Sequence, residues 1–409
     1  MRILFFSNIP IRKTFKGSYN GGGWISSLID TLVQSTEHEI AVGYFSESDE
    51  KITDSQLTIY KMKEGNILKR RLKKWLSLFP FSSLIEKKSW LFYEKKLLSV
   101  IADYKPDIIH IFGTEHQFGL ISNKTNVPTI IHIQGVLNPY FNAFLPPFFS
   151  WYNNFFRPIH FVQKYIERKT WQMNCFREKE IFSRNQNYIG RTDWDKRVAF
   201  ILNPKSIYFY GSEILRNDFY REWQRKNPKE LIIISTISSP LYKGFDTILK
   251  TAFLLKSFKK DFIWKVFGNI NPTYIEGKIG IKHSEVDVKL EGVANTETLI
   301  ESIIESSVYV HPSYIDNSPN SVCEAQMLGV PVIATNVGGL ASIIDDCNTG
   351  FLVPSNDPYQ MAYMIDFLYK NKKLNEQIGY SARIQALKRH DRNRIINDLL
   401  DVYRIISKK

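Results

Sequence analysis

The sequence predicts an α/β protein of two Rossmann-like domains that face each other across a cleft. Short β-branched or aromatic runs alternate with longer segments of helical periodicity, which is typical of parallel βαβ units, and this pattern occurs twice. The length agrees with two domains, because 409 residues with 44% hydrophobic content exceed what one ordinary domain uses and can fill two cores.

Each half of the chain supplies its own strands and helices. In the first half, strands are predicted at residues 3–6, 40–45, 57–61, 107–112 and 129–133, and the first helix begins near Trp24. In the second half, strands are predicted at 231–235, 262–267, 288–290, 308–311 and 330–334, with helices that begin at Phe245, Thr296, Ser318 and Pro358.

These elements divide the chain into three parts. Residues 1–205 form the first domain and 206–380 the second, with a linker near 206–230 that contains a strand-like run at 206–210. The last stretch, 381–409, is helical, basic and short of core residues, so we expect a helix that packs back across both domains.

Charge and cysteine content bound the class of protein. The net charge of +13 suits nucleic acid, anionic lipid or phosphorylated small molecules, and does not choose among them. Cys175, Cys323 and Cys347 lack CxxC spacing, which argues against a disulfide framework or a structural zinc site and favours a reduced cytosolic compartment. Ser7 and Asn8 interrupt the first apolar run too early for a secretory signal, and no run approaches the roughly 18 apolar residues of a membrane-spanning helix.

Two segments depart from the regular alternation. Residues 61–97 interleave basic side chains with aromatic and leucine side chains, which indicates basic amphipathic helices. Their lysines are either solvated above a core-facing stripe or in contact with an anionic membrane surface. Residues 139–182 are denser still in aromatics, so this segment packs as a lid between domains or contacts an apolar partner.

A glycine-rich stretch, residues 17–23, leads into the first helix. Its unhindered backbone N–H groups, with Gly22 and Gly23 nearest the helix, would bind an anion. The spacing is neither GxGxxG nor a P-loop, which weakens dinucleotide and triphosphate interpretations. A plain glycine turn is the alternative.

The most informative stretch runs from residue 311 to residue 340. A strand ends at His311, a polar loop follows, and Pro319 opens a helix on which Glu324 lies about one turn in. Asp316 lies in the loop, eight positions before Glu324. Both carboxylates could therefore reach one pocket at the carboxyl edge of the sheet, where open α/β sheets bind ligands.

This stretch resembles the retaining glycosyltransferases of family 4, whose fold is the two-domain GT-B arrangement. The family's mark is Glu-x7-Glu-Ala followed by a Gly-Pro-Val-Ile-Ala-x-x-x-Gly-Gly segment. The chain has Asp316-x7-Glu324-Ala325, then GVPVIA at residues 329–334 and Gly338-Gly339. The resemblance covers the whole second domain and, more thinly, the first.

The resemblance implies roles for these residues. Glu324, as an ionised acceptor, would bind the ribose hydroxyls of a nucleotide, and Asp316 would stand near the donor sugar, where the family usually has Glu. Backbone amides at the helix start would bind sugar hydroxyls and phosphate, and this stretch comprises Asn317, Ser318, Pro319, Asn320 and Ser321.

A second motif, Tyr242-Lys243-Gly244-Phe245-Asp246, resembles the family's Lys-Gly-Phe-Asp signature. Lys243 would offset the charge that grows on the diphosphate leaving group. The family commonly has an arginine about five residues earlier, where this chain has Ser238, so a second cation must come from elsewhere, and Arg191 is a candidate.

In the first domain His110 and His132 each end a strand and would face the cleft. His132 corresponds to the family histidine that contacts the donor sugar. A hydrogen-bonded core histidine is the alternative for both. Glu115 and His116 follow the strand that contains His110 and would line the acceptor side.

No metal site is expected. Asp193 and Asp195 form a literal DxD motif, but its context here is helical, whereas the metal-binding DxD of the other large glycosyltransferase fold follows a strand in a single domain. Glu213 occupies the linker and is a possible cleft residue.

The resemblance implies a hexosyltransferase that uses a UDP- or GDP-linked sugar, with no other cofactor, and a glycan or lipid-linked glycan acceptor. Its expected place is bacterial polysaccharide or lipopolysaccharide synthesis, in the cytoplasm or at the inner face of the plasma membrane. Two alternatives are an epimerase or phosphorylase of similar fold and a non-catalytic basic module. The latter lacks any recognisable nucleic-acid motif, so a nucleic-acid partner is not expected.

Overall fold

The computed structural model describes residues 1–8, 23–65, 82–151, 158–226 and 228–408. The predicted anion-binding Gly22 lies outside these described residues, as do residues 66–81 of the basic segment and 152–157 of the aromatic segment. Within the described ranges no helix combines the length and apolar character that a membrane span requires.

The first domain is built on an eight-stranded sheet of order β3-β4-β2-β1-β5-β6-β7-β8. Neighbouring strands are parallel except β3 and β4, which are antiparallel. The strands are β1 (Arg2–Phe6), β2 (Glu39–Ser46), β3 (Glu50–Asp54), β4 (Leu57–Lys63), β5 (Ile108–Phe112), β6 (Thr129–His132), β7 (Asn187–Gly190) and β8 (Ile207–Tyr210). The central strands β5 and β6 are buried along their whole length, as in a parallel sheet covered by helices on both faces.

The second domain has a six-stranded parallel sheet of order β11-β10-β9-β12-β13-β14. Its strands are β9 (Leu231–Thr236), β10 (Phe262–Phe267), β11 (Val288–Gly292), β12 (Val308–His311), β13 (Val332–Thr335) and β14 (Phe351–Val353). The order reverses at β9 and β12, and this switch point is where such sheets bind ligands.

Helices cover both sheets. They are α1 (Gly23–Ser35), α2 (Ser82–Tyr104), α3 (Leu137–Asn142), α4 (Pro158–Arg184), α5 (Asp193–Leu202), α6 (Phe245–Ser257), α7 (Thr273–Ile279), α8 (Thr296–Ile304), α9 (Asn320–Met327), α10 (Pro358–Lys370), α11 (Lys372–Arg389) and α12 (Arg392–Ser407). Each sheet has an apolar core on both faces, which confirms the predicted α/β class with two domains.

The end of the chain crosses from one domain to the other. Helix α11 packs on α9 of the second domain, while α12 packs on α1 of the first. Tyr403 and Leu399 of α12 lie in the core of the first domain. The crossing segment thus divides into two helices, with the break at His390 and Asp391.

The first domain extends further along the chain than predicted. Strand β8 pairs in parallel with β7, so the chain leaves the first sheet after Tyr210 and not at residue 205. The run at 206–210 is strand-like in sequence, but a short edge strand with partly exposed side chains carries no signal of which sheet it joins.

Three strands were not predicted. Strand β3 is a mostly exposed edge strand with charged ends, β7 has only four residues, and β14 has three. Such strands bury too little apolar surface to produce a clear period-two pattern.

Part of the aromatic segment 139–182 lies between the domains, while Ile181 and Phe182 at its end belong to the core of the first domain. Phe144 is 5% exposed and belongs to the core of the second domain. Its ring centroid is 4.9 Å from that of Trp171, 5.3 Å from that of Trp151 and 5.7 Å from that of Tyr242. This aromatic cluster agrees with the prediction of an inter-domain lid.

Candidate active site

A cleft of about 390 Å³ lies between the two domains, at the carboxyl ends of their parallel strands. Its first-domain wall includes Gln134, which follows β6, and Arg191, which follows β7. Its second-domain wall includes Thr236 at the end of β9 and Asp316 beyond β12. The predicted site residues that line this cleft are Gly23, Glu115, Arg191, Lys243, Asp316, Ser318, Pro319, Asn320, Ser321 and Glu324.

Lys243 and Asp316 form a buried ion pair at the centre of the second-domain wall. The Lys243 Nζ contacts Asp316 Oδ2, and their side chains are 13% and 7% exposed. His311 Nε2 lies 2.8 Å from the same oxygen, and the Tyr140 hydroxyl lies 3.3 Å from Oδ1. Tyr140 belongs to α3, so the first domain helps to hold this carboxylate.

The pair keeps both groups charged. Burial works to raise the pKa of Asp316, but Lys243 and His311 outweigh it and hold that pKa below its ordinary value. Burial likewise works to lower the pKa of Lys243, and Asp316 outweighs it, so the pKa of the ammonium group is raised. The cleft therefore contains a fixed positive charge beside a fixed negative one.

Two glycines make this arrangement possible. Gly244 has φ of 75°, and a Cβ there would lie 2.0 Å from the carbonyl oxygen of Pro312. Gly338 has φ of 55°, and a Cβ there would lie 1.8 Å from the carbonyl oxygen of Asp316. Only glycine tolerates these positions, so the motif glycines let two turns close on the loop that carries Asp316.

Glu324 also lines the cleft, where it is paired with Arg216. Its Oε1 accepts hydrogen bonds from Nε of Arg216 at 2.9 Å and forms an ion pair with the same guanidinium at 2.8 Å. Burial raises the pKa of Glu324, and Arg216 opposes that shift. A carboxylate in this position can accept hydrogen bonds from a ligand in the cleft.

The start of α9 points its first residues at the cleft. Ser318, Pro319, Asn320 and Ser321 all line it, so the free N–H groups and positive end of the helix face the cavity. Asn317 does not line it, contrary to the prediction. Its backbone N–H donates to Tyr140 and its side chain binds Thr192 at 2.6 Å and Asp195 at 2.8 Å across the domain boundary.

Arg191 enters the cleft from the first domain. Its guanidinium lies 5.3 Å from the centroid of the Trp24 ring and donates to the Gln134 carbonyl at 3.3 Å. Its Nη1 is 3.6 Å from Glu213 Oε2, and neither Nη1 nor Nε has a hydrogen-bond partner within the described ranges. This cation is therefore held in place with donor capacity to spare.

The two predicted strand-end histidines lie away from the cleft. His132 is 2% exposed beneath Trp24, with ring centroids 4.8 Å apart, and neither of its nitrogens has a hydrogen-bond partner among the described residues. His110 is fully buried, and its Nδ1 lies 2.7 Å from the hydroxyl of Tyr403. Burial lowers the pKa of His132 and brings that of His110 to about 3, so both rings are neutral.

Glu115 lines the cleft and His116 does not. The Glu115 Oε1 accepts the backbone N–H of Gly135 at 3.0 Å, and burial raises the pKa of its carboxyl to about 7. His116 is exposed and contacts Phe118 instead, with ring centroids 6.1 Å apart. Of the predicted acceptor-side residues, Glu115 is thus the one in position to meet a ligand.

Comparison with known proteins identifies the second domain. Residues 217–385 match the family model described as Glycosyl transferases group 1. This segment belongs to that family. A D-inositol 3-phosphate glycosyltransferase of Paenarthrobacter aurescens is 38% identical over 81 residues, 20% of each chain. CapM of Staphylococcus aureus, a capsular polysaccharide biosynthesis glycosyltransferase, is 32% identical over 103 residues, 25% of this chain and 27% of that protein. The matches thus span about a fifth to a quarter of these relatives' length.

Solved structures extend the likeness to the whole fold. Sucrose-phosphate synthase of Thermosynechococcus elongatus has a TM-score of 0.71 at 14% identity and covers 99% of this chain and 98% of its own. HepE of Anabaena, solved with UDP-glucose, has a TM-score of 0.64 at 14% identity over 100% of both chains. WaaG, a glycosyltransferase involved in lipopolysaccharide biosynthesis, has a TM-score of 0.60 at 14% identity and covers 94% and 95%. The fold is GT-B.

The two aspartates of the DxD motif, which lie in the first domain, have structural roles. Asp195 is fully buried at the first turn of α5 and accepts hydrogen bonds from the Arg191 backbone at 3.1 Å and the Asn317 side chain at 2.8 Å. Asp193 begins the same helix, where its charge suits the positive helix end. The helical context predicted for this motif is present.

One group of possible metal ligands occurs among the described residues. Glu213, Cys323 and His390 are buried with ligand atoms within 4.8 Å of one another. Their polar atoms already have partners, since the Cys323 thiol donates to Glu213 Oε1 at 3.3 Å and His390 Nδ1 donates to the Glu213 backbone at 2.8 Å. Arg191 and His390 overcome burial and lower the pKa of Glu213 to about 2. This carboxylate therefore supports Arg191 and the linker.

Sequence reasoning missed three residues of the site. Arg216 lies in the linker, where no motif marks it, and Tyr140 is one aromatic among many. His311 had a usable signal, because it ends a strand in the same way as His110 and His132. Its Nε2 also lies 2.9 Å from the Ser313 hydroxyl, which fixes the ring beside Asp316.

Proposed function

We propose that this protein is a retaining glycosyltransferase that moves a hexose from a UDP- or GDP-linked donor to a glycan or lipid-linked glycan. The observation that carries the proposal is the convergence of Lys243, Asp316 and Glu324 on one cleft below the start of α9. These groups can address pyrophosphate, sugar and ribose respectively, each with the charge that its target requires.

The donor would lie mainly against the second domain. Glu324 would accept hydrogen bonds from the ribose hydroxyls, and the ammonium of Lys243 would face the diphosphate. Asp316 would accept from sugar hydroxyls. The amides at the start of α9 would donate to phosphate or sugar oxygens, as helix N-termini do for anions.

The reaction would proceed by direct displacement on one face of the sugar. The bond between the anomeric carbon and the β-phosphate oxygen breaks, the acceptor oxygen bonds to that carbon, and the acceptor proton passes to the departing phosphate. Lys243 would stabilise the negative charge that develops on the diphosphate. Both carboxylates of the second-domain wall are already held by cations, Asp316 by Lys243 and Glu324 by Arg216, which supports this mechanism over a covalent intermediate on either.

Arg191 would supply the cation that the chain lacks at Ser238. It lines the cleft on the wall opposite Lys243, and its Nε and Nη1 have no hydrogen-bond partner within the described part of the chain. We propose that the two cations serve in place of a metal ion. Closure of the domains around the donor would then exclude water and suppress its hydrolysis.

The first domain would hold the acceptor. Glu115 lines this side and, with its pKa raised to about 7 by burial, could both donate to and accept from a sugar hydroxyl near neutral pH. His132 would reach the donor sugar only after Trp24 moves off its ring. CapM and WaaG act in capsular polysaccharide and lipopolysaccharide synthesis, and we propose a bacterial surface glycan pathway here.

We place the enzyme in the cytoplasm, at the periphery of the inner membrane surface. On α2, Leu91 and Phe92 are 55% and 44% exposed, and Phe176 of α4 is 38% exposed, with the ammonium of Lys87 lying 5.4 Å from the centroid of its ring. An apolar surface edged by lysines suits an anionic bilayer. Sedimentation with vesicles should show binding that increases with the content of anionic lipid and decreases in a variant with Leu91→Ser and Phe92→Ser.

A panel of UDP- and GDP-linked sugars tests the proposed function. A donor that binds the folded state should raise the melting temperature, by an amount that grows with concentration. The best ligand, labelled in its sugar, should then give a product whose anomeric configuration by NMR equals that of the donor, with EDTA present. Release of an isomerised sugar nucleotide would favour an epimerase, and inversion at the anomeric carbon would refute the proposed mechanism.

A further inference from the structure

Arg216 makes a set of contacts that reaches well beyond one ion pair. Two of its nitrogens, Nε and Nη2, lie 2.9 Å and 2.8 Å from Glu324 Oε1, and Nη1 donates to the Thr296 hydroxyl at 3.0 Å. The guanidinium carbon lies 4.8 Å from the centroid of the Phe219 ring, which is fully buried. Its orientation is therefore set by a hydrogen bond at one end and a ring beneath it.

The contacts on Glu324 are one-sided. Arg216 uses Oε1 for both of its bonds, and Oε2 has no hydrogen-bond partner among the described residues. Glu324 is 6% exposed and lines the cleft. One carboxylate oxygen is thus locked to the protein, and the other is left to bind a ligand.

Without Arg216 this carboxylate would be costly to keep charged. Burial favours its neutral form, and the neighbouring Glu213 carboxylate adds repulsion. The other titratable neighbour is Tyr309, whose buried phenol has its own pKa raised and stays neutral. Arg216 is the group that opposes protonation of Glu324.

Arg216 also touches the opposite domain. A Cβ built on Gly23, the first residue of α1, would lie 3.1 Å from both Cγ and Cδ of Arg216. The methylene groups of Arg216 therefore pack against the start of α1 in the first domain, while its guanidinium binds Glu324 in the second. Arg216 thus connects Glu324 of the second domain to the start of α1 in the first domain.

We propose that Arg216 is a positioning residue that presents Glu324 to the ribose of the donor, keeping Oε1 fixed and Oε2 available to the ribose hydroxyls. This inference rests on the proposed function, because it assumes that a nucleoside diphosphate occupies the cleft. It predicts that discrimination between ribose and deoxyribose depends on Arg216.

The test compares UDP and GDP with their 2′-deoxy analogues by calorimetric titration. Wild-type protein should bind the ribonucleotide roughly tenfold more tightly than the deoxynucleotide, because a buried polar group that loses its partner is penalised. Arg216→Gln should weaken ribonucleotide binding about tenfold and deoxynucleotide binding less than about twofold, so the preference largely disappears.

The pH dependence provides a second readout. An ionised Glu324 binds the ribose, so affinity is present above its pKa and lost as the pH falls through it. Arg216→Gln should move this loss to higher pH, since burial then acts unopposed. Arg216→Lys should restore the charge and most of the pH profile but not the full ribose preference, because an ammonium cannot reproduce the two-nitrogen contact.

Arg225→Gln is the matched control. Arg225 is another partly buried arginine of the second domain, bonded to the Asn375 side chain at 2.6 Å and the Ser307 carbonyl at 3.1 Å, away from the cleft. Its variant should keep the wild-type ribose preference and pH profile even where stability falls. If Arg216→Gln does not fold, Arg216→Lys alone decides, through its reduced preference.

The outcomes separate the inference from the proposed function. If wild-type protein binds a nucleoside diphosphate but Arg216→Gln retains both its ribose preference and its pH profile, Arg216 does not position Glu324 and the proposed function stands. A wild-type protein without any ribose preference would overturn the inference in the same way. If neither UDP, GDP nor any of their sugars binds, the proposed function fails and the inference with it.

Discussion

The two walls of the cleft treat their titratable groups in opposite ways. On the second-domain wall, Lys243 with Asp316 and Arg216 with Glu324 form ion pairs of largely buried side chains. On the first-domain side, burial favours the neutral forms of His110, His132 and Glu115. The second-domain wall thus holds its charges in ion pairs, whereas on the first-domain side burial favours the neutral forms of Glu115 at the cleft and of the two histidines behind it, and Arg191 brings a positive charge into the cleft.

This difference suits two kinds of ligand. A nucleoside diphosphate carries charges and needs preset partners, which cost little reorganisation when charge develops. A sugar acceptor is neutral and needs hydrogen bonds in a site from which water can be excluded. The contrast between the walls therefore gives the proposed division into donor and acceptor sides a physical basis.

Removing the ammonium group of Lys243 from the second-domain wall should have the largest effect, and the quantity affected is turnover. We expect Lys243→Met to reduce turnover by roughly two to three orders of magnitude, because one preorganised donor at the developing charge is lost. Steady-state transfer assays provide the measurement. Lys256→Met serves as the control, since Lys256 lies on α6 in an exposed pair with Asp287 and should leave turnover unchanged. Near-normal transfer by Lys243→Met would refute its role.

Asp316→Asn should destabilise the fold by about 3 kcal/mol at neutral pH, because it leaves the buried Lys243 without its counter-ion. Since the pKa of Asp316 is held below its ordinary value in the folded state, the carboxylate stabilises the fold above its unfolded-state pKa. That contribution is lost as the pH falls through the folded-state pKa.

Urea unfolding of both proteins at several pH values measures this difference. The difference in free energy of unfolding should be largest near neutral pH and should become smaller in acid. Asp287→Asn, which removes one partner of an exposed pair, should cost less than about 1 kcal/mol. A difference between wild type and Asp316→Asn that does not change with pH would contradict the ion-pair explanation.

Glu115→Gln tests whether burial keeps the carboxyl group of Glu115 neutral on the first-domain side of the cleft. Burial raises the pKa of Glu115 to about 7 in the folded state, so its protonated form stabilises the protein at acid pH. That contribution is full below its unfolded pKa and is lost as the pH rises through about 7. Relative to wild type, the variant should therefore gain about 1 to 2 kcal/mol of stability between mildly acid and mildly alkaline pH. If the free energies of unfolding of the two proteins change with pH by the same amount, Glu115 is not a buried, neutral carboxyl.

Ser238→Arg should have the smallest effect. Ser238 lines the cleft, about five residues before Lys243, where the family that this motif resembles commonly has arginine. A cation there should tighten binding of UDP or GDP by a few-fold, an amount typical of an added partly solvated charge contact. Calorimetric titration would detect it, and weaker binding would mean that this position does not face the diphosphate.

The sequence could predict the second-domain wall because its parts are close together along the chain. Asp316 and Glu324 share one loop and one helix, and Lys243 follows a neighbouring strand, so spacing and the rule of strand carboxyl ends bring them together. The first-domain wall depends on contacts between distant segments. Strand periodicity placed His132 at the rim, but nothing in its surroundings shows that Trp24 covers it. Arg216 and Tyr140 likewise join the site only through packing across the domains.

The central claim is that the cleft binds a nucleoside diphosphate through the second-domain wall. Calorimetric titration of UDP and GDP in the presence of EDTA tests it most directly, with wild type, Lys243→Met and Glu324→Gln compared side by side. We predict that at least one of the two nucleotides binds the wild type and that each substitution weakens this binding by roughly tenfold or more. Binding of equal strength in all three proteins, or no binding to the wild type, would contradict the claim.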